Sequence, residues 1–369
     1  MQVQRLVVAA GVVMMMACAA VAQPETPAKQ QTIAEQFVES KATPPLLQGA
    51  NAANAYIAAW DSVSSDTRVI AGNEVDERHA STLAEHQTYV ERLIGAAMMA
   101  KCDWGLNYGG GLDTQLPHLK LMRSSARTLT ADATRLMQLE GTAEQRTARE
   151  REAMRRIQAV IRMSTHVRED RVLISSLVSA AIMNVGRQWV DERVRAGTLS
   201  VESAQVVLGT MRAVQTDDLF GMRDSVEGEG DIFDTWLKSE FGGADGPEKL
   251  GQFIGTIQGD GLQPPDAVIS KLSREEFDSA VTKMRQFYTD NAKIWLQPDA
   301  PEQIARLAAS VRDNAYGPIA MRLAAVLGNP WASDDKLQRQ FEETTKLLEA
   351  YVVHNGKLPD EFRSGGEGQ

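Results

Sequence analysis

The chain has 369 residues, with 39 Lys plus Arg against 49 Asp plus Glu and a formal net charge of −10. That balance speaks against nucleic acid and anionic membrane surfaces as partners, since their phosphates repel an acidic protein. With only two cysteines, Cys18 and Cys102, a disulfide-dense scaffold is excluded.

The first element is a leader. Arg5 supplies a positive n-region, Leu6 to Ala19 an apolar stretch and Ala20-Val21-Ala22 a small-residue cleavage site. This predicts a secretory signal peptide over residues 1–22, a mature chain from Gln23 and a periplasmic or secreted address. The apolar run is at the short limit of a spanning helix and Pro24 follows without anchoring cations, so no stable membrane insertion is expected after cleavage. The alternative is a lipoprotein acylated at Cys18, although Met15 and Met16 fit the required box poorly. Removing the leader leaves Cys102 as the sole cysteine, so the mature fold stands on packing.

Residues 23–47, rich in Gln, Pro, Thr, Ala and Lys, read as a flexible tether with one short helical turn near Ile33 to Val38. From Asn51 onward apolar residues recur at helical spacing. Leu119, Met122, Ala126, Leu129, Ala133 and Leu136 form one stripe, and Phe277, Val281, Met284 and Tyr288 form another. Thr142 to Gln145 and Ser273 to Glu276 are capping boxes, and Pro117, Pro247 and Pro318 suit a first helical turn. Val172 to Val185 is apolar on nearly every face and should lie at the centre of its lobe. Glycine-rich breaks fall at 109–111, 242–246 and 259–261.

The expected fold is all-α, with about ten or eleven helices in antiparallel hairpins stacked into an elongated bundle or irregular α-solenoid. The length suits two lobes, an N-terminal one over 48–215 and a C-terminal one over 216–362, with a disordered tail at 363–369. A regular tetratricopeptide period is absent.

Candidate chemistry is sparse. His79 and His86 lie two helical turns apart, too far to share one zinc ion, and no His-Glu-x-x-His sequence occurs. Ser333-Asp334-Asp335-Lys336 has the Ser-x-x-Lys spacing but lacks the companion motifs of penicillin-recognising enzymes, so Ser333 reads as a helix cap. Asp224, Glu227, Glu229, Asp231 and Asp234 invite calcium, but their spacing does not match a calcium loop and they read as an acidic solvated turn. Arg146, Arg149, Arg151, Arg155, Arg156 and Arg162 read as a solvated, ion-paired helix face, with an anion-binding patch as the functional alternative. No metal or other cofactor is expected.

One constellation remains. Cys102, Asp103 and Trp104 end one long helix and His118 opens the next, so a thiol, a carboxylate, an indole and an imidazole should come close together. They form either a binding cluster or a structural one in which Cys102 is simply buried and His118 bonds to backbone or to Asp103. The segments Cys102-Asp103-Trp104, Leu116-Pro117-His118-Leu119 and Leu173-Ile174-Ser175-Ser176-Leu177-Val178 resemble a pattern in secreted all-helical proteins of planctomycete-type bacteria, over roughly residues 50 to 360. The tail from Asn355 to Asp360 is similar to a helix-then-Gly-aromatic-Pro ending seen there and in pseudopilins, with Leu358 replacing the aromatic residue. That family carries no established activity, so the resemblance implies fold and address and transfers no catalytic residue. The expectation is a scaffold or adaptor acting on an envelope protein partner. The alternative is an envelope enzyme or small-ligand binder with a site between helices near Asp103, Trp104 and His118.

Overall fold

The computed structural model describes residues 51–64, 77–258, 266–324 and 328–363. The leader, the tether and most of the tail (residues 364–369) lie outside the described residues. The fold is all-α, with fourteen α-helices and no strand among the described residues. The count exceeds the expectation because short helices such as Glu77–Glu85, Gly317–Leu323 and Asp360–Arg363 give almost no periodic signal. No described helix is long and apolar enough to cross a membrane.

Contacts divide the protein into two units. The first holds the described parts of Thr32–Leu106, Gln115–Ser225 and Ser333–Gln369, and the second holds Asn107–Thr114 and Val226–Ala332. The units therefore interleave along the sequence instead of following one another, because residues from Ser333 onward return to the helices of the N-terminal half.

In the first unit, α1 (Ala52–Asp61), α2 (Glu77–Glu85) and α3 (Gln87–Ala97) precede three long helices, α4 (Pro117–Gln138), α5 (Ala143–Arg168) and α6 (Leu173–Arg195). α4, α5 and α6 pack pairwise, α3 packs on α1 and α5, and α7 (Val201–Val214) covers another side of α5. Short connections make α4, α5 and α6 sequential neighbours. Their ends are well specified. Pro117 opens α4, and Thr142 and Gln145 form the reciprocal capping box of α5. The guanidinium groups of Arg146 and Arg149 donate to the carbonyls of Leu139, Glu140 and Gly141, which closes the α4–α5 turn. α6 is buried along most of its length, with Ser175, Ser176 and Ser179 each satisfied by a hydrogen bond, as its all-round apolar pattern requires.

The second unit is built from most of α8 (Met222–Glu240), then α9 (Gly246–Gln258), α10 (Arg274–Ile294), α11 (Ala300–Arg312) and α12 (Gly317–Leu323). Its core is aromatic: Phe233 stacks on Tyr288 at 5.7 Å, and Trp236 meets Phe241 edge-on at 5.2 Å. Two glycines allow close approach. A Cβ at Gly230 would sit 2.7 Å from Cβ of Tyr288, and one at Gly111, whose φ is +55°, would fall 2.3 Å from the Trp236 ring. Gly230 lies inside α8, so the acidic run from Asp224 to Asp234 is helical and not a turn. The sequence suggested a break because Gly228 and Gly230 lower helix propensity, and packing against Tyr288 outweighs that cost.

The remaining helices are α13 (Gly328–Val353) and α14 (Asp360–Arg363). Ser333 lies within α13 and does not cap it. The C-terminal part of α13 is tied to the first unit by Arg187 to Thr344, Arg212 to Glu349 and the buried hydroxyl of Tyr351 to the Leu199 carbonyl at 2.5 Å.

Candidate functional site

The segment that leaves α3 has no regular secondary structure through residues 101–104, and burial alternates along it. Cys102 and Trp104 accordingly turn inward and are buried, while Asp103 turns out to solvent. The Asp103 carboxylate accepts the Gly105 amide at 2.9 Å and so shapes the turn that follows. Asn51 locks this segment to the start of α1: its carboxamide accepts the Asp103 amide at 2.9 Å and donates to the Asp103 carbonyl at 2.8 Å.

Trp104 is the hub. It stacks on Trp60 at 5.8 Å with planes 5° apart, on Tyr56 at 5.9 Å and on His118 at 4.4 Å. Tyr56 and Trp60 lie four apart on α1, one face of a helix, so a single helix delivers both rings. His118, the second residue of α4, is fully buried. Its Nε2 donates to the Asp170 carboxylate at 2.7 Å, and that same oxygen accepts the Ser175 hydroxyl at 2.8 Å. The sequence therefore correctly joined Trp104 to His118, but the carboxylate partner is Asp170 from the α5–α6 turn and not Asp103.

A second histidine completes the cluster. His166, near the end of α5, takes the Tyr56 hydroxyl at Nδ1 (3.0 Å) and donates from Nε2 to the Met99 carbonyl (3.0 Å). This pairing requires the neutral ring. Burial, aided by the Arg162 charge and opposed by the Met99 carbonyl, lowers its pKa to about 4. The unfolded state binds this proton more readily, so the stability His166 allows is full above about pH 6.5 and falls as pH drops toward 4. Chemical denaturation at pH 7.5 and pH 4.5 is expected to show an acid loss of up to about 3 kcal/mol from this residue. His166→Gln should flatten that slope, and an unchanged slope would refute the assignment.

The Cys102 thiol is pushed well above its ordinary pKa, first by burial and then by the nearby Glu169, Asp170 and Asp103 carboxylates. Its backbone amide donates to Glu169 at 3.2 Å. Such a thiol is a small apolar core group and not a nucleophile. Iodoacetamide is expected to alkylate Cys102 at least ~100-fold more slowly in the native protein than in urea, as local opening controls access. Equal rates would show that the thiol is accessible.

Further along α4 and α5 lies a buried ionic network that the sequence reading missed. Asp132 of α4 is fully buried, and its two oxygens accept from Arg156 of α5 and Arg135, each at 2.7 Å. Arg156, itself 2% exposed, also donates to the Glu152 carboxylate at 2.9 Å and to Gln87 of α3 at 3.0 Å. The Glu152–Arg156 pair seen in the sequence exists, yet Arg156 does not belong to a solvated face. Asp132 follows Leu129 by three residues on the α4 stripe, and a carboxylate at an apolar position signals a buried cation nearby. Neighbouring arginines are engaged as well: Arg151 pairs with Glu202, and Arg155 pairs with Glu91 and Glu152. These pairings weaken the anion-patch reading of that helix.

The other suspected chemistry disperses. His86 bonds to the Thr82 carbonyl at 2.8 Å, and the imidazole of His79 lies outside the described residues. Asp231 pairs with Arg285 and Asp234 with Lys238. Among the described residues, no group of three or more His, Cys, Asp or Glu residues is arranged to hold a metal ion. An open groove of about 470 Å³ runs between α10 and α11, lined by Asp290, Ile294, Asp299, Gln303, Arg306 and Leu307. On its α11 side, the Gln303 carboxamide donates to the Asp299 carboxylate at 2.6 Å.

Comparisons with protein-family models, with curated proteins and with solved structures find no match to this protein.

Proposed function

We propose that the protein acts outside the cytoplasm, in or beyond a bacterial cell envelope, as a helical scaffold or adaptor that works by binding another protein. The supporting observation is the fate of its chemistry-bearing residues. Trp104, His118, His166 and Cys102 are all enclosed and engaged in holding α1, α4, α5 and the residue 99–104 segment together. Asp103, the one exposed member, bonds to its own turn. A set of groups used in this way builds a rigid helical body. The leader-like sequence and the resemblance to secreted helical proteins support the address. The alternative, an envelope enzyme or small-ligand binder at Asp103, Trp104 and His118, has less support because a ligand would have to displace a packed indole to reach His118.

The test is cross-linking in living cells followed by native recovery of the tagged protein from its own envelope fraction, with mass spectrometry reading proteins, metabolites and metals. The scaffold reading expects a stoichiometric protein partner cross-linked to exposed helix residues and retained by a folded His118→Gln variant. Recovery of the protein alone, with a small molecule or metal lost in His118→Gln, would overturn it. N-terminal sequencing of the same sample tests the address: a start at Gln23 supports export, and an intact Met1 in the cytoplasm refutes it.

A further inference from the structure

Asn355 is the only asparagine in the sequence followed by glycine, and Gly356, lacking a Cβ, leaves its amide nitrogen open to the neighbouring carboxamide. We propose that Asn355 is a self-modification site, converted by water to aspartate and isoaspartate, and that the end of α13 controls its rate. The backbone nitrogen of Gly356, after giving its proton to solvent, bonds to Cγ of Asn355. The bond from Cγ to the carboxamide nitrogen breaks and that nitrogen leaves as ammonia, giving a cyclic imide. Water then opens one of the two imide bonds to the ring nitrogen, yielding isoaspartate or aspartate. One water is consumed, one ammonia is released and nothing is oxidised.

The local geometry holds this reaction back. Asn355 is exposed and left-handed (φ 53°), and Gly356 follows at φ 85°. The Asn355 amide donates to the Val352 carbonyl at 3.1 Å and the Gly356 amide to the Tyr351 carbonyl at 2.8 Å. This is the Schellman arrangement, with asparagine in the left-handed position that glycine usually takes. The attacking nitrogen is thus engaged in closing the helix, and it becomes available only when the last turn opens. Once formed, the product works against the same turn. A new carboxylate sits at the negative end of the helix dipole, and isoaspartate lengthens the backbone where the two capping bonds must close. Tyr351, whose hydroxyl fastens α13 to the Leu199 carbonyl, contributes the carbonyl that loses its donor.

The full-length protein is to be incubated in heavy-oxygen water at neutral pH and physiological temperature, folded or in urea, and then peptide-mapped with isoaspartate resolved. The expected result is heavy-oxygen label and isoaspartate at Asn355 in both samples, with the folded protein at least about tenfold slower. Leu358→Ala, which removes a buried anchor just beyond the turn, should bring the folded rate toward the urea rate. Equal rates in folded and unfolded wild type, or another asparagine labelled ahead of Asn355 in the folded protein, would overturn the proposal.

Discussion

Replacing Asp132 with alanine is expected to destabilise the protein by about 3 kcal/mol, because it removes the one fully buried carboxylate on the Arg156 guanidinium and leaves only the half-exposed Glu152 and Glu91 to balance it. The expectation rests on burial as much as on distance. Asp132 is fully buried and Arg156 is 2% exposed, so solvent cannot take over the lost interaction. Arg135 and Gln87 tie the same network to two further points, and neither can neutralise a cation. An exposed pair makes the control. Arg212 and Glu349 lie 2.8 Å apart and are 58% and 40% exposed, and Glu349→Ala should cost less than about 1 kcal/mol. Replacing Asp132 and Arg156 together by leucine and methionine should recover much of the loss, since two buried charges are then removed as a pair. Urea denaturation of the four proteins checks this. An Asp132→Ala penalty no larger than the Glu349→Ala penalty would show that the network contributes nothing beyond a surface pair.

Trp104→Ala is expected to cost a similar amount, about 3–5 kcal/mol, by a different route. Removing the indole takes away the stacking partner of Trp60, Tyr56 and His118 at once and leaves a cavity bounded by those three rings. Water admitted there would compete for the His118–Asp170 bond, which adds to the packing loss. Trp104→Phe keeps an aromatic face and should cost well under half as much. Denaturant midpoints provide the measurement. A Trp104→Ala penalty under about 1 kcal/mol would mean that the stack is incidental and that the indole can leave to admit a ligand.

The helices were legible because their signals are local. Thr142 with Gln145 and Ser273 with Glu276 close the capping boxes read from spacing alone, and the stripe from Leu119 to Ala133 faces the core. Local reading failed where a distant residue decides. Gly230 reads as a breaker until Tyr288 is seen lying over it, and Asp170 is 52 residues from the His118 it serves. Asp103 turns outward between the buried Cys102 and Trp104 because the helix read as ending at Trp104 stops at Ala97. Assuming that sequence neighbours share one site hid it. The interleaved units were not legible, because no composition shift marks Ser333 as the place where the polypeptide returns.

The stapled α4–α5 turn has a kinetic consequence. Arg146 and Arg149 reach the carbonyls they cap across only five to ten residues, so this hairpin can organise early at little loop-closure cost. Tyr56 must find His166 110 residues away, and Trp60 must find Ser125 65 residues away. Contacts of such high sequence separation come late in folding, so α1 should dock late, onto a bundle that already exists. Newly made molecules would then pass through a state with the face around Trp104 uncovered, and that interval is when the protein is most exposed to aggregation and to proteases.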